Sequence, residues 1–299
     1  MIRRDFVKFV IPLVALGPSI VFSNSEPQLS FGVIADPQYA DKDTRGSRYY
    51  RASLEKLSSA IKDLNQEKLE FVVTLGDIID ADLKSFSDIL PIYSKLKVPH
   101  NMVLGNHDWE VAAEDKGSVM ETLGMKKNYF SEVIGKWRFI YLDGTDVSLF
   151  RNIEGSPEWL EAKAVLDELE VQELPQAQSW NGGISENQLN WLKDELESAK
   201  SANEHVIISN HYPLLPAKDA HNLWNSEEVL SLLDKYNNIV MYMNGHNHKG
   251  NYAVQNGTHY VNFKGMVETE SETAYAIVKC YSDRVEVLGY GLEPNRVLS

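Results

Sequence analysis

The sequence predicts a layered α/β fold, and three observations carry that prediction. Apolar runs that read as buried strands alternate with stretches of helical periodicity as far as residue 104. Each run stops at a cluster of polar side chains able to do chemistry, as in folds whose sites lie at the carboxyl ends of strands. From Asn251 onward the pattern changes to short strands, which predicts a second sheet packed against the first.

The elements follow in order. Residues 28–35 form a strand pattern ending at Asp36-Pro37-Gln38. Residues 47–66 place Leu54, Leu57, Ile61 and Leu64 at helical spacing. A second apolar run, 69–75, ends at Gly76-Asp77-Ile78-Ile79-Asp80. Residues 83–96 read as helix, and a third strand, 98–104, delivers Gly105-Asn106-His107-Asp108. Strands are expected over 129–134 and 137–142, joined by a turn at Gly135-Lys136. The stretch 147–182 is polar and acidic and reads as an insertion with some helix beside the site entrance. A helix over 187–199 has Ser185 as N-cap and Gln188 three residues on, the capping-box spacing. A strand over 205–209 ends in Asn210-His211-Tyr212-Pro213, and a helix covers 226–236. The strand 239–243 runs into Asn244-Gly245-His246-Asn247-His248. The tail reads as strands over 251–255, 258–263, 273–280 and 284–290.

Composition narrows the function. With 299 residues, 43% of them hydrophobic and 24% charged, the chain is long enough for a large core. A net charge of -14 excludes the basic surface that nucleic acid requires, so no nucleic-acid partner is expected. An acidic chain still binds anionic phosphates if metal ions supply local positive charge. Cys280 is the only cysteine, which rules out an intrachain disulfide and leaves no cysteine-based zinc site.

Residues 1–25 read as a signal peptide, leaving one domain over 26–299. Arg3 and Arg4 precede an apolar stretch from Phe9 to Phe22 broken by Pro12, Gly17 and Pro18, and Ser23 and Ser25 offer a cleavage site. The stretch is too short and broken to span a membrane. Its opening also resembles a twin-arginine export signal. The expectation is an exported protein, periplasmic or secreted, without a membrane anchor after processing.

Five strand ends hold Asp36 and Gln38; Asp77 and Asp80; Asn106, His107 and Asp108; His211; and His246 and His248. Oxygen and imidazole donors in this number exceed the needs of one ion and point to two. Two metals share a bridging carboxylate and clamp the attacking and leaving oxygens of a displacement. His100, His205, His221 and His259 lie outside these motifs and read as structural or solvated. Tyr39, Trp109, Trp224 and Phe263 adjoin them and read as core or wall, with base stacking the alternative.

The set Asp-x-Gln, Gly-Asp-x-x-Asp, Gly-Asn-His-Asp, a lone His and Gly-His-x-His resembles the calcineurin-like metallophosphoesterase superfamily, in that family's order over residues 30–265. The resemblance implies two packed β-sheets flanked by helices, an α/β/β/α sandwich. The family's first motif usually ends in histidine, where this chain has Gln38. An amide oxygen is a harder donor than imidazole and tilts the preference towards Mn²⁺. The run Phe31 to Asp41, Asn181-Gly182-Gly183-Ile184, Gln188 to Leu192, Tyr212 to Pro216, and Gly265 to Thr269 with Arg284 and Arg296 are similar to the Mn²⁺-dependent ADP-ribose/CDP-alcohol diphosphatases.

That resemblance implies roles. Asp77 is expected to bridge two divalent metal ions, with Mn²⁺ favoured. Asp36, Gln38 and His248 complete one site, and Asn106, His211 and His246 the other. The nucleophile is a bridging hydroxide. His107 stays free to stabilise the phosphoryl group and protonate the leaving oxygen, oriented by Asp80, with Asp108 the second choice. The expected partner is a small nucleoside diphosphate whose phosphoanhydride is cut. The alternatives are a cyclic-nucleotide phosphodiesterase or broad phosphomonoesterase and, more remotely, a non-catalytic scaffold.

Overall fold

The computed structural model describes residues 26–299, so the expected leader lies outside the described residues. The first sheet opens with β1 (Leu29–Ile34), β2 (Val72–Thr74) and β3 (His100–Met102), all parallel. Their crossovers are α1 (Ser53–Leu64), entered through a 3-10 turn at Tyr50–Ala52, and α2 (Leu83–Tyr93). Asp82 caps α2 by accepting the Ser85 N–H at 2.9 Å. The short α3 (Val119–Thr122) then leads to the second sheet.

That sheet begins with the hairpin β4 (Phe130–Ile134) and β5 (Trp137–Tyr141), turning at Gly135 with φ +63°. α4 (Pro157–Val171) lies inside the acidic insertion and buries only Ala162 and Leu166, which pack against Trp224. α5 (Glu186–Ala202) starts where expected, Ser185 Oγ accepting the Gln188 N–H, and leads into β6 (His205–Ser209). α6 (Ser226–Leu233) connects to β7 (Ile239–Asn244), which lies parallel to β6.

The tail departs from expectation. Its strands do not make a sheet of their own. β8 (Asn251–Gln255) and β9 (Thr258–Asn262) extend the second sheet, giving the order β4-β5-β6-β7-β9-β8. β10 (Ala274–Cys280), β11 (Val285–Gly291) and a short β12 (Arg296–Leu298) cross back to the first, giving β12-β11-β10-β1-β2-β3. β12 falls in a stretch too short to show periodicity. β10 pairs antiparallel with β1 and buries that strand on both edges, so all six β1 residues are buried.

The two sheets stack face to face. Phe31, Phe71 and Phe139 meet between them with ring centroids 4.9–5.4 Å apart, joined by Val33, Ile207, Met241, Met243 and Val261. The outer face of the first sheet is covered by Leu57, Ile61 and Leu64 of α1 and Phe86 and Ile89 of α2. Leu192 and Leu196 of α5 and Val229 and Leu233 of α6 cover the second. The result is the α/β/β/α sandwich. Its consequence for function is that the polar strand ends come from two sheets rather than one edge. The carboxyl ends of β1, β2 and β3 face those of β6 and β7. Among the described residues no helix is long and apolar enough to cross a membrane.

Candidate metal centre

Three loops must turn sharply as they leave the sheets, and the backbone records it. Asp36, Gln38, Asp77 and His246 all have positive φ, at +46°, +47°, +49° and +68°. Non-glycine residues seldom adopt this conformation, and clusters of them mark functional sites. Two glycines make the crowding affordable. A Cβ at Gly245 would fall 2.5 Å from Asp36 Oδ2, and one at Gly105 would overlap Asp77 Oδ1. The carboxylates therefore sit where only a bare backbone can lie beside them.

The turns bring two overlapping groups of donors together. Asp77, His211 and His246 have ligand atoms within 4.8 Å of one another, as do Asp36, Asp77 and His248, with Asp77 common to both. His211 Nε2 lies 3.4 Å from Asp77 Oδ2, and His248 Nε2 lies 3.7 Å from Asp36 Oδ1.

Each histidine has its other ring nitrogen fixed. His211 Nδ1 bonds the carbonyl of Leu75 at 2.7 Å, so that nitrogen carries a proton and Nε2 is the one turned to Asp77. His248 Nδ1 donates to Glu268 Oε1 at 2.8 Å, which leaves Nε2 free. His246 Nε2 faces Asn181 Oδ1 at 2.9 Å. The Asn181 amide cannot flip, because its Nδ2 donates to the carbonyls of Gln176 and Ala220 at 3.0 and 2.7 Å. His246 must then donate from Nε2 and keep a lone pair on Nδ1. Three imidazoles oriented by three separate acceptors is the arrangement that metal ligation requires.

The electrostatics make the same demand. His211 Nε2 and His246 Nδ1 stand 3.0 Å apart beside Asp77, and a cation shared among the three, a proton on His211 or a metal ion in its place, satisfies that approach. Burial opposes charge on His211, yet the Asp77 carboxylate lifts its pKa to about 9. Burial also raises Asp36 to about 6, whereas Asp77, equally buried, is held well below the carboxylate range by His211 and His107. Gln38 and Asn106 complete the fit. Both are buried, and Gln38 Oε1 and Nε2 and Asn106 Oδ1 have no hydrogen-bond partner. Unpaired amide oxygens cost free energy unless something else binds them, and a hard divalent cation would. The donor set thus fits two such ions: Asp36, Asp77, His211, His246 and His248 cluster, Asn106 lines the adjoining cavity, and the Gln38 N–H donates to the Asp77 carbonyl at 2.8 Å.

His107 and Asp80 lie to one side. The His107 N–H donates to Asp77 Oδ1 at 2.9 Å, while its Nδ1 is 3.4 Å from Asp80 Oδ1. Asp80 is itself ion-paired to Lys42. Burial lowers the His107 pKa to about 4 despite Asp77 nearby, so the ring is neutral at pH 7. Asp108, the second choice to orient it, does something else. It is fully buried and accepts the N–H groups of Gly105, Asp77, Ile78 and Ile79 at 2.7–3.3 Å, pinning the β2 and β3 loops together.

Several expectations for aromatic and histidine residues resolve here. Tyr39, Trp109, Trp224 and Phe263 are buried wall or core, with the indole N–H groups of Trp109 and Trp224 bonded to Thr145 Oγ1 and Gln178 O. His100 stacks on Tyr93, and His205 packs at a tilt against Trp137. His221 is not merely structural: with Arg48, Glu110 and Trp180 it lines a cavity of about 260 Å³ that opens onto Asp77, Asn106, His107, His246 and His248. Sequence reasoning assigned no role to Arg48, Lys42, Asn181 or Glu268. Each contributes through a tertiary contact, and neither periodicity nor donor spacing marks it.

A family model for the calcineurin-like phosphoesterases matches residues 29–250. A mouse protein named manganese-dependent ADP-ribose/CDP-alcohol diphosphatase is 32% identical, over 95% of this chain and 97% of its own length. An Arabidopsis thaliana protein of the same name is 30% identical, over 88% and 94%. Among solved structures, a dimetal phosphatase from Danio rerio superposes with a TM-score of 0.82 at 28% identity, covering 92% of this chain and 99% of its own.

Proposed function

The chain belongs to the calcineurin-like phosphoesterase family, and on that premise we propose that this dinuclear-metal phosphoesterase is a manganese-dependent hydrolase of nucleoside diphosphates linked to a sugar or alcohol. Its substrates are of the ADP-ribose and CDP-alcohol type, cut at the phosphoanhydride to give two phosphomonoesters. The observation that carries the metal chemistry is the set of three histidines oriented by Leu75, Asn181 and Glu268 towards two carboxylates. The diphosphate specificity is supported by relatives of that name along nearly the whole chain.

Asp77 would be shared between the two ions, with Asp36, Gln38 and His248 on one side and Asn106, His211 and His246 on the other. When bound, the ions supply Lewis-acid stabilisation of the phosphoryl oxygens and make water a nucleophile at neutral pH. The protein's own groups do the rest. His107 is tethered through its backbone to Asp77. Its Nδ1 lies 3.4 Å from Asp80 Oδ1 without a hydrogen bond, close enough for the carboxylate to attract the ring once it is protonated, which leaves Nε2 for the substrate. An anionic phosphate in the cavity favours the protonated ring, and that proton goes to the departing oxygen. Lys42 neutralises the far side of Asp80, so the carboxylate holds the ring without adding net negative charge where phosphate must bind.

The test is kcat/KM for the purified, Mn²⁺-loaded protein on ADP-ribose, CDP-choline, a cyclic nucleotide and p-nitrophenyl phosphate. The reading requires the two diphosphates to lead, and preference for a cyclic nucleotide or monoester overturns it. Export is a separate proposal supported by Arg3, Arg4 and the apolar stretch that follows. Fractionation of cells making the full chain checks it, and retention in the cytoplasm refutes it.

A further inference from the structure

We propose that Arg48, Lys249 and Lys264 form a cationic subsite for the second phosphoryl group of the substrate, the one that is not attacked. This deepens the diphosphate reading and rests on it.

A second cavity, about 400 Å³, adjoins the first and shares Arg48, His221, His246 and His248 with it. Its further walls bring in Lys249 and Lys264. The three cations face a space large enough for a phosphorylated sugar or alcohol moiety, in a chain whose net charge is -14. Such concentration of positive charge in a cleft of an acidic protein focuses the field on anions. The one carboxylate in the lining, Glu268, accepts the His248 N–H and lies within electrostatic reach of Arg48, so the three cations still outnumber it. Among the described residues none of the three cations is in an ion pair, and their charge is available.

Their positions are built. The backbone of Arg48 bridges that of Glu268, and its neighbours are tied in by Tyr49 N–H to Val267 O at 2.9 Å and Thr269 N–H to Ser47 O at 3.1 Å. The loop that orients His248 therefore also carries Arg48. Lys264 has its N–H bound by Glu293 Oε2 at 2.8 Å, and Glu293 is held by Arg296. The Lys264 stem lies over Gly250, where a Cβ would come 2.9 Å from Cγ, so the glycine at φ +73° leaves the stem its path. Lys249 and Gly250 directly follow the His246-Asn247-His248 segment, and Lys264 follows β9, the strand paired with β7. Two phosphoryl groups joined by one oxygen can thus be divided between the centre and this wall. A single-phosphate substrate leaves the wall unused.

The experiment compares the protein with a Lys249→Ala/Lys264→Ala double variant and with Lys264→Arg. Under saturating Mn²⁺, kcat/KM is measured for ADP-ribose and for bis(p-nitrophenyl) phosphate. We expect the ratio of the two to fall at least about tenfold in the double variant, through KM, because a charge-assisted phosphate contact is worth about that factor. Lys264→Arg keeps the charge and should keep most of the ratio. An equal loss on both substrates, or no loss, overturns the subsite. A second readout separates this proposal from the substrate reading. In the Mn²⁺-loaded His107→Ala background, calorimetry should show ADP binding tighter than AMP, and the lysine substitutions should abolish that difference. If the parent protein cleaves neither diphosphate, the substrate reading fails, but an ADP preference that the lysines control upholds the subsite. No ADP preference refutes the subsite whatever the substrate.

Discussion

Removing the Glu268 carboxylate should weaken one metal site and spare the other. Its Oε1 accepts the His248 Nδ1 proton at 2.8 Å, and that bond holds the carboxyl at about 2, so the group is ionised at any pH at which the protein works. The other two rings lean on neutral acceptors, the Leu75 carbonyl and the Asn181 amide. Among the three, His248 is thus the imidazole whose second nitrogen is held by a carboxylate, and its Nε2 serves the group with Asp36 and Asp77. Loss of such a partner costs about 10–100-fold in metal affinity, or roughly 1.4–2.7 kcal/mol. Glu268→Ala should therefore show two Mn²⁺ classes by equilibrium dialysis with electron paramagnetic resonance detection, one weakened by that factor and one unchanged. Glu268→Gln keeps an acceptor without the charge and should fall between. The sign with pH follows: a depressed carboxylate contributes above its unfolded value, near 4.5, and loses that contribution only as pH falls through about 2. The difference between parent and Glu268→Gln should be flat from pH 6 to 8. Equal weakening of both classes, or an unaltered affinity, would refute the assignment of His248 and Glu268.

Other substitutions probe the remaining parts. His107→Ala should retain two Mn²⁺ per chain and lose about 10²–10⁴ in kcat, whereas Asp77→Ala should lose metal; equal metal loss in both would mean His107 is a ligand. Asp108→Ala leaves four buried N–H groups without their acceptor and should lower stability to urea by at least about 3 kcal/mol, given about 1–3 kcal/mol for each group left unpaired. Gly105→Ala should abolish metal binding while the chain remains folded by circular dichroism, since the added methyl overlaps Asp77 Oδ1; full metal occupancy would contradict the crowding inferred there. Lys56 is buried, its ammonium donating to the carbonyls of Glu268 and Thr269, and burial lowers its pKa from 10.5 to about 8. The folded chain then binds that proton less tightly than the unfolded one, so stability rises as pH climbs from about 8 to 10.5. Lys56→Met should remove roughly 3 kcal/mol of that rise. Identical pH slopes for the two proteins would show that Lys56 keeps its ordinary pKa in the fold and that burial does not lower it.

The sequence by itself determined the alternating α/β half, because strand runs and helical stripes leave distinct periods and Ser185 caps where its side chain allows. It also marked the donors by type and place: Asp36, Asp77, His211, His246 and His248, polar residues at strand ends, are brought within reach of one another. The tertiary structure decided how the β-rich tail divides between two sheets. Alternation of apolar and polar residues specifies a strand's two faces but not its partner, and the β1 edge open to β10 is a property of the assembled sheet. Only the fold could separate Asp80 from Asp108, two carboxylates equally close in sequence to the centre, since one reaches a ring and the other four backbone N–H groups. Asn181 and Glu268 lie in stretches that resemble the family, but only the fold shows what they do, 65 and 20 residues from the histidines they orient. A ligand can be read from its own chemistry and its place at a strand end. The group that aims the ligand is known only by what it touches.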